Sequence, residues 1–207
     1  PVKTVTGGEG GAITTNDEKL YRHLMRLRTH GITRDPEEMV HPTDALWYNE
    51  QVELGFNYRM TDFQAALLLS QLKKLPMFRA RRKEIKKRYD EAFGKMPELI
   101  LQKEIPESDT TWHLYVLHLN LENLNCDRRQ FFDALYAEHT CPQVHYLPVY
   151  WHSYYEKLGY KKGLCPNAEK YYNEVMSIPL YYGLTDDDVE DVIHAVKKVV
   201  AYYTKLK

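Results

Sequence analysis

Apolar residues recur at helical spacing most plainly near the end of the chain. There Val189, Val192, Ile193, Val196, Val199, Tyr203 and Leu206 follow one another at intervals that keep one face of a helix apolar. Thr185, followed by Asp186, Asp187 and Asp188, places a capping hydroxyl and three carboxylates where the helix dipole favours negative charge. Near the other end, Leu20, Leu24 and Leu27 share a face behind a cap at Asn16 or Asp17. That helix should stop at His30-Gly31, because glycine accepts a left-handed turn. Thr61-Asp62-Phe63-Gln64 has the form of a capping box and opens a helix with Phe63, Ala66, Leu67, Ser70 and Leu72 near one face. Pro76 should end or kink it, with a second helical run over 78–93. Asp127 caps a helix that turns Phe131, Leu135 and Tyr136 inward, and Asn167 caps a short one with Tyr171 and Val175 on the same side.

Between these helices the texture is extended. Residues 112–119 alternate apolar and polar, and 99–103 and 143–150 read as further extended segments. The chain opens as strand, glycine-rich loop and strand. Residues 32–56 show no sustained period and are interrupted by Pro36 and Pro42. A structureless stretch of that length is uncommon in a compact domain unless it has a task, and its Trp47 and Tyr48 mark it as a functional or interface loop. The pattern predicts the end of an α/β layer over 1–75, a connecting helix over 76–95 and a small α+β domain over 96–207.

Composition narrows the function classes. The 207 residues are 43% hydrophobic, ample for a core, and the net charge is −1 with acids and bases mixed. No one-signed stripe fit for nucleic acid is present. The densest basic run, 79–88, reads as a wet helix face on which Glu84 pairs with Arg88. Three cysteines without metal-type spacing fit a reduced, cytoplasmic protein with incidental thiols. The apolar runs are far short of a membrane span, and no membrane partner is expected. Seventeen tyrosines and three tryptophans suit a sugar or nucleotide site as well as they suit packing.

The candidate chemistry lies at the start. Lys3 is followed by Thr4-Val5-Thr6-Gly7-Gly8-Glu9-Gly10-Gly11-Ala12-Ile13-Thr14. By itself a lysine there is a solvated charge, and the glycines lack the spacing of a nucleotide-binding P-loop. The segment resembles the cofactor-lysine loop of the DegT/DnrJ/StrS family of sugar aminotransferases. Further segments match that family in order: Arg28-Thr29-His30-Gly31, Gly55-Phe56-Asn57-Tyr58-Arg59, Thr111-Trp112-His113, His145-Tyr146-Leu147-Pro148, Ala168-Glu169-Lys170-Tyr171-Tyr172 and Ser177-Ile178-Pro179-Leu180. Within the family, residues 143–150 and Arg34-Asp35-Pro36 most resemble the aminotransferases of the pseudaminic acid pathway. Gly7 departs from the family, which usually has threonine or alanine before its Gly-Glu-Gly-Gly core.

The resemblance implies an α/β fold, the C-terminal part of a fold-type I pyridoxal-phosphate transferase: a remnant of the large domain plus a small α+β domain. It implies pyridoxal 5′-phosphate held covalently by Lys3, which would also shuttle the substrate proton. Asn57 would contact the cofactor phosphate across a homodimer interface, with Arg59 as a nearby anchor, and His145 and Tyr146 would face the sugar nucleotide. The implied reaction moves an amino group from glutamate to a UDP- or dTDP-linked 4-keto-6-deoxy sugar. It also implies that a large preceding portion of the protein is absent and that the chain is inactive alone. A sugar dehydratase of the same fold would carry histidine in place of Lys3. A non-enzymatic sensor or assembly module that keeps the fold stays open.

Overall fold

Asp17 opens the first helix by accepting the backbone N–H groups of Lys19 and Leu20 at 2.9 and 3.1 Å. Helix α1 therefore runs Glu18–Leu27 in a computed structural model that describes residues 3–205. It ends as expected near His30-Gly31, both in left-handed backbone with φ of 60° and 71°. Strand β1 (Ile32–Thr33) pairs antiparallel with β2 (Glu50–Gln51), and residues 34–49 loop between them. The opening segment forms bends rather than the strand, loop and strand predicted for it. Gly7 and the Glu9 carbonyl lie against the first turns of the helix that begins at Asp62 instead of pairing with a strand.

Helix α2 spans Asp62–Phe93. The predicted capping box is present: Thr61 Oγ1 accepts the Gln64 N–H at 3.4 Å, and Gln64 Oε1 accepts the Thr61 N–H at 3.1 Å. Of the end or kink expected at Pro76, the end does not occur, because the helix continues through it. A proline removes one ladder bond, to the carbonyl of Leu72, while the turns on either side keep theirs. Beyond it Ile85, Tyr89 and Phe93, four residues apart and fully buried, anchor the helix to a core.

The chain divides into two compact units, Pro1–Lys74 and Leu75–Lys207. In the second, β3 (Leu99–Ile100), β4 (Tyr115–Leu119) and β5 (Val175–Ile178) form an antiparallel sheet in that order. Tyr115, Leu117 and Leu119 of β4 are buried while Val116 and His118 are half-buried, which matches the alternation in the sequence. Strand β5 is buried at all four positions and so carries no alternation to detect. Helices α3 (Arg128–Ala137), α4 (Ser153–Lys157), α5 (Pro166–Glu174) and α6 (Asp186–Tyr203) complete the unit. Asp127 and Thr185 cap α3 and α6 through full capping boxes. The core joins Phe131 and Leu135 of α3 with Val189, Val192, Ile193, Val196 and Val199 of α6. Leu206, placed on the last helix by its spacing, lies outside the described residues.

Further sequence expectations change. Tyr136 is 60% exposed and stacks on Phe132, because the inward stripe of α3 is the Phe131–Leu135 pair one turn apart. Helix α5 starts at Pro166 with Cys165 as its cap, so Asn167 lies inside it, and Val175 already belongs to β5. Proline is suited to a first helical position because its missing N–H is not needed there. Glu84 pairs with Arg81 at 2.8 Å, not with Arg88, whose guanidinium bonds Asp186 and Glu190 at 2.7 Å each. The acids that start α6 win this contact. The basic run is also not wholly wet: Arg82 is buried and donates to the carbonyls of Trp112, His113 and Leu180 at 3.1, 3.1 and 2.8 Å.

Candidate active site

In the first unit the glycine loop is held by close approach to α2. A Cβ on Gly7 would come within 2.9 Å of the Gln64 carbonyl oxygen and of a Leu68 methyl. Gln64 Nε2 donates to the carbonyl of Glu9 at 2.8 Å, so this side chain both caps the helix and fastens the loop. Gly8 and Gly10 adopt φ of 90° and 154°, and a Cβ on Gly10 would meet the Met60 methyl at 2.9 Å. Lys3 precedes this loop and is exposed. Among the described residues its ammonium has no ion-pair partner.

Asn57 stands where residues 51–58 are sewn to the end of α1. His30 N–H donates to the Phe56 carbonyl at 2.9 Å, Phe56 N–H to Leu27 at 3.1 Å and Tyr58 N–H to Arg28 at 2.9 Å. Asn57 itself bridges Thr29. The seam is tight: a Cβ on Gly31 would lie 1.8 Å from the Glu53 carbonyl oxygen, and one on Gly55 would lie 2.3 Å from the Gly31 nitrogen. Asn57 Oδ1 accepts the Arg59 N–H at 3.4 Å, the backbone-capping role of an asparagine in a turn. Its NH₂ group and the Arg59 guanidinium are exposed and, among the described residues, carry no hydrogen bond.

A charge network braces the same unit. Arg26 Nε bonds Glu53 at 2.7 Å while its NH1 bonds Glu38 at 2.8 Å, and His23 Nε2 meets the second Glu53 oxygen at 2.6 Å. The Arg26 hydrogen bond, with His23 behind it, holds the Glu53 carboxyl below the usual carboxylate range. Glu50 accepts the N–H groups of Val40 and His41, fastening the long loop whose Trp47 is 82% exposed.

The other two candidates lie in the second unit. His145 Nδ1 is 3.0 Å from Ser177 Oγ on β5, and its ring meets the Tyr146 ring edge-on at 4.7 Å. Tyr146 is 74% exposed. A few residues on, Tyr150 and Trp151 converge on Glu169 of α5. Lys162 sits 4.4 Å above the Trp151 ring, and Tyr172 meets that ring edge-on at 5.5 Å. Glu169 and Ser177 stood in the sequence inside matched segments, but nothing in their spacing revealed that they hold the His145–Tyr146 segment. The structure thus places Lys3, Asn57 and Arg59 in one unit and His145 and Tyr146 in the other.

Among the described residues no helix is long and apolar enough to cross a membrane, and no cluster of side chains could hold a metal ion. Comparison with known proteins gives the chain its relatives. It is 40% identical over 96% of its length to the spore coat polysaccharide biosynthesis protein SpsC of Bacillus subtilis. It is 34% identical over 97% of its length to a UDP-4-amino-4,6-dideoxy-N-acetyl-beta-L-altrosamine transaminase of Campylobacter jejuni. In each case it covers 51% of the relative, so the chain spans about half the length of the curated relatives it matches. The solved structure of Helicobacter pylori PseC, an aminotransferase involved in the biosynthesis of pseudoaminic acid, superposes with a TM-score of 0.78 at 26% identity, over 91% of this chain and 48% of that one. The mixed α/β architecture is therefore part of the fold-type I transferase fold. Residues 1–197 match the model of the DegT/DnrJ/EryC1/StrS aminotransferase family, and the chain belongs to that family.

Proposed function

We propose that this chain is part of a cytoplasmic, pyridoxal-phosphate-dependent aminotransferase that moves an amino group from glutamate to a nucleotide-linked 4-keto-6-deoxy sugar. Residues 1–75 would belong to its large cofactor domain, 76–95 to a connecting helix and 96–207 to its small domain. The whole protein would act as a homodimer with the site shared between subunits. The names of the relatives, a polysaccharide biosynthesis protein and an amino-sugar transaminase, support the sugar substrate class.

The observation that carries the reading is the donor set of the first unit: the exposed primary amine of Lys3, the NH₂ group of Asn57 and the guanidinium of Arg59, none of them bonded to a side chain among the described residues. An amine suits an aldehyde, and an amide with a guanidinium suits a phosphate, so these residues fit pyridoxal 5′-phosphate. When bound, that group supplies an electrophilic carbon and a ring that withdraws electrons. Lys3 Nζ would hold it covalently and, once free, would move a proton from the amino donor's α-carbon to the cofactor's carbon. Asn57 Nδ2 and Arg59 would orient the phosphate, while His145 and Tyr146 would meet the sugar nucleotide.

Borohydride reduction of the whole protein in the presence of pyridoxal 5′-phosphate, followed by peptide mapping, tests this. The label is expected on Lys3, and Lys3→Ala should abolish it. Label on another side chain, or none, would overturn the reading.

A further inference from the structure

Residues 143–151 are held at both ends by two consecutive elements. At the start, Gln143 and Ser177 of β5 exchange both backbone hydrogen bonds, at 2.9 and 2.7 Å, and Ser177 Oγ meets His145 Nδ1. At the far end Tyr150 O–H donates to Glu169 Oε1 at 2.6 Å, and Trp151 Nε1–H reaches the same oxygen at 3.4 Å. The Gly163 N–H adds a third bond to it at 2.5 Å, and the Cys165 N–H donates to Tyr150 Oη at 3.2 Å. One carboxylate oxygen therefore ties the 143–151 segment to the 163–165 loop.

The donors on Glu169 are all neutral; among the described residues it has no ion-pair partner. Their bonds, Tyr150 first, hold its carboxyl below the usual range, while desolvation and then Glu169 push the Tyr150 hydroxyl up to about 12. The residue is half-buried, and its Oε1 accepts all three of these bonds. Between the two fastenings Tyr146, 74% exposed, is presented outward, as is Val149 at 60%.

We propose that Glu169 is a positioning residue for the sugar-nucleotide side of the site, fixing the 143–151 segment so that His145 and Tyr146 are held ready for that ligand. The inference rests on the reading of His145 and Tyr146 given under the proposed function. Hydrogen bonds to a charged acceptor are about twice as strong as neutral ones, so a carboxylate fastens a segment that must not drift. Small displacements of positioning groups cost binding and rate steeply.

The test uses the whole protein with Glu169→Gln, Glu169→Ala and Tyr150→Phe. Equilibrium binding of UDP-N-acetylglucosamine and of dTDP-glucose, as stable probes, is measured by calorimetry, beside borohydride labelling of Lys3. Glu169→Ala should weaken binding about tenfold and Tyr150→Phe about threefold, while Glu169→Gln, which keeps the acceptor oxygen, should stay within about twofold of wild type. Labelling of Lys3 should be equal in all four proteins. Should Glu169→Ala fail to fold, Tyr150→Phe decides. Wild-type probe affinity in both Ala and Phe variants would overturn the inference while leaving the proposed function standing. A parallel loss of Lys3 labelling would also overturn it, by showing a general structural role. A wild-type protein labelled on Lys3 that binds neither probe would overturn the sugar-nucleotide reading and this inference together.

Discussion

Arg82 shows how a single charged residue can serve a fold through carbonyls, with no ionic partner among the described residues. The residue is 8% exposed, and its guanidinium is held by three carbonyls, with Nε unbonded among the described residues. Burial pulls its pKa below the ordinary arginine value. The planar fork of donors spans acceptors that an ammonium could not reach together. Arg82→Met should therefore lose about 3 kcal/mol in urea unfolding, since buried carbonyls would be left unpaired, and Arg82→Lys should recover only part of that. In the sequence Arg82 is one more cation in a basic run, and its burial depends on Trp112 and Leu180, 30 and 98 residues away. By contrast the resemblance that singles out Lys3 rests on its local glycine-rich neighbourhood, whereas the clasp of Glu169 on Tyr150 joins residues 19 positions apart.

At the level of elements, most caps were readable, Asn167 being the exception, and so were the faces of β4 and α6; pairings between remote segments were not. Thr185, Asp127, Asp17 and Thr61 each bond the amides their spacing predicts, because a cap involves only the next three residues. Thr185→Ala should lower stability by about 1 kcal/mol in the same unfolding assay. Strand β5 escaped notice because continuous burial erases alternation, and the pairing partner that defines it, β4, is remote in sequence. Pro76 misled because its local cost is real but is outweighed by the anchoring of Ile85, Tyr89 and Phe93. That cost remains in the native state. Pro76→Ala should raise the denaturation midpoint, by an amount equivalent to about 1–3 kcal/mol, through the restored bond to Leu72.

Across the whole chain, acid is the condition that loosens the charged fastenings. The Glu53, Asp186 and Asp188 carboxyls all sit below their ordinary values, held there first by Arg26, Arg81 and Thr185 respectively. Each binds its proton less readily folded than unfolded, so its stabilisation is complete above the ordinary carboxylate range and fades as pH falls through the folded value. Stability should hold from neutrality to about pH 5 and decline below about pH 4, with added salt weakening the more exposed pairs first. Denaturation midpoints collected across that range check the sign. Among the described residues, every side chain of the apolar core comes from Ile85 or later, while α1, β1 and β2 rely on glycine seams and ion pairs. Deuterium placed in the solvent should thus reach the amides of residues 18–58 long before those of β4, β5 and α6, so that the mass spectrum of the intact chain gains weight in two waves.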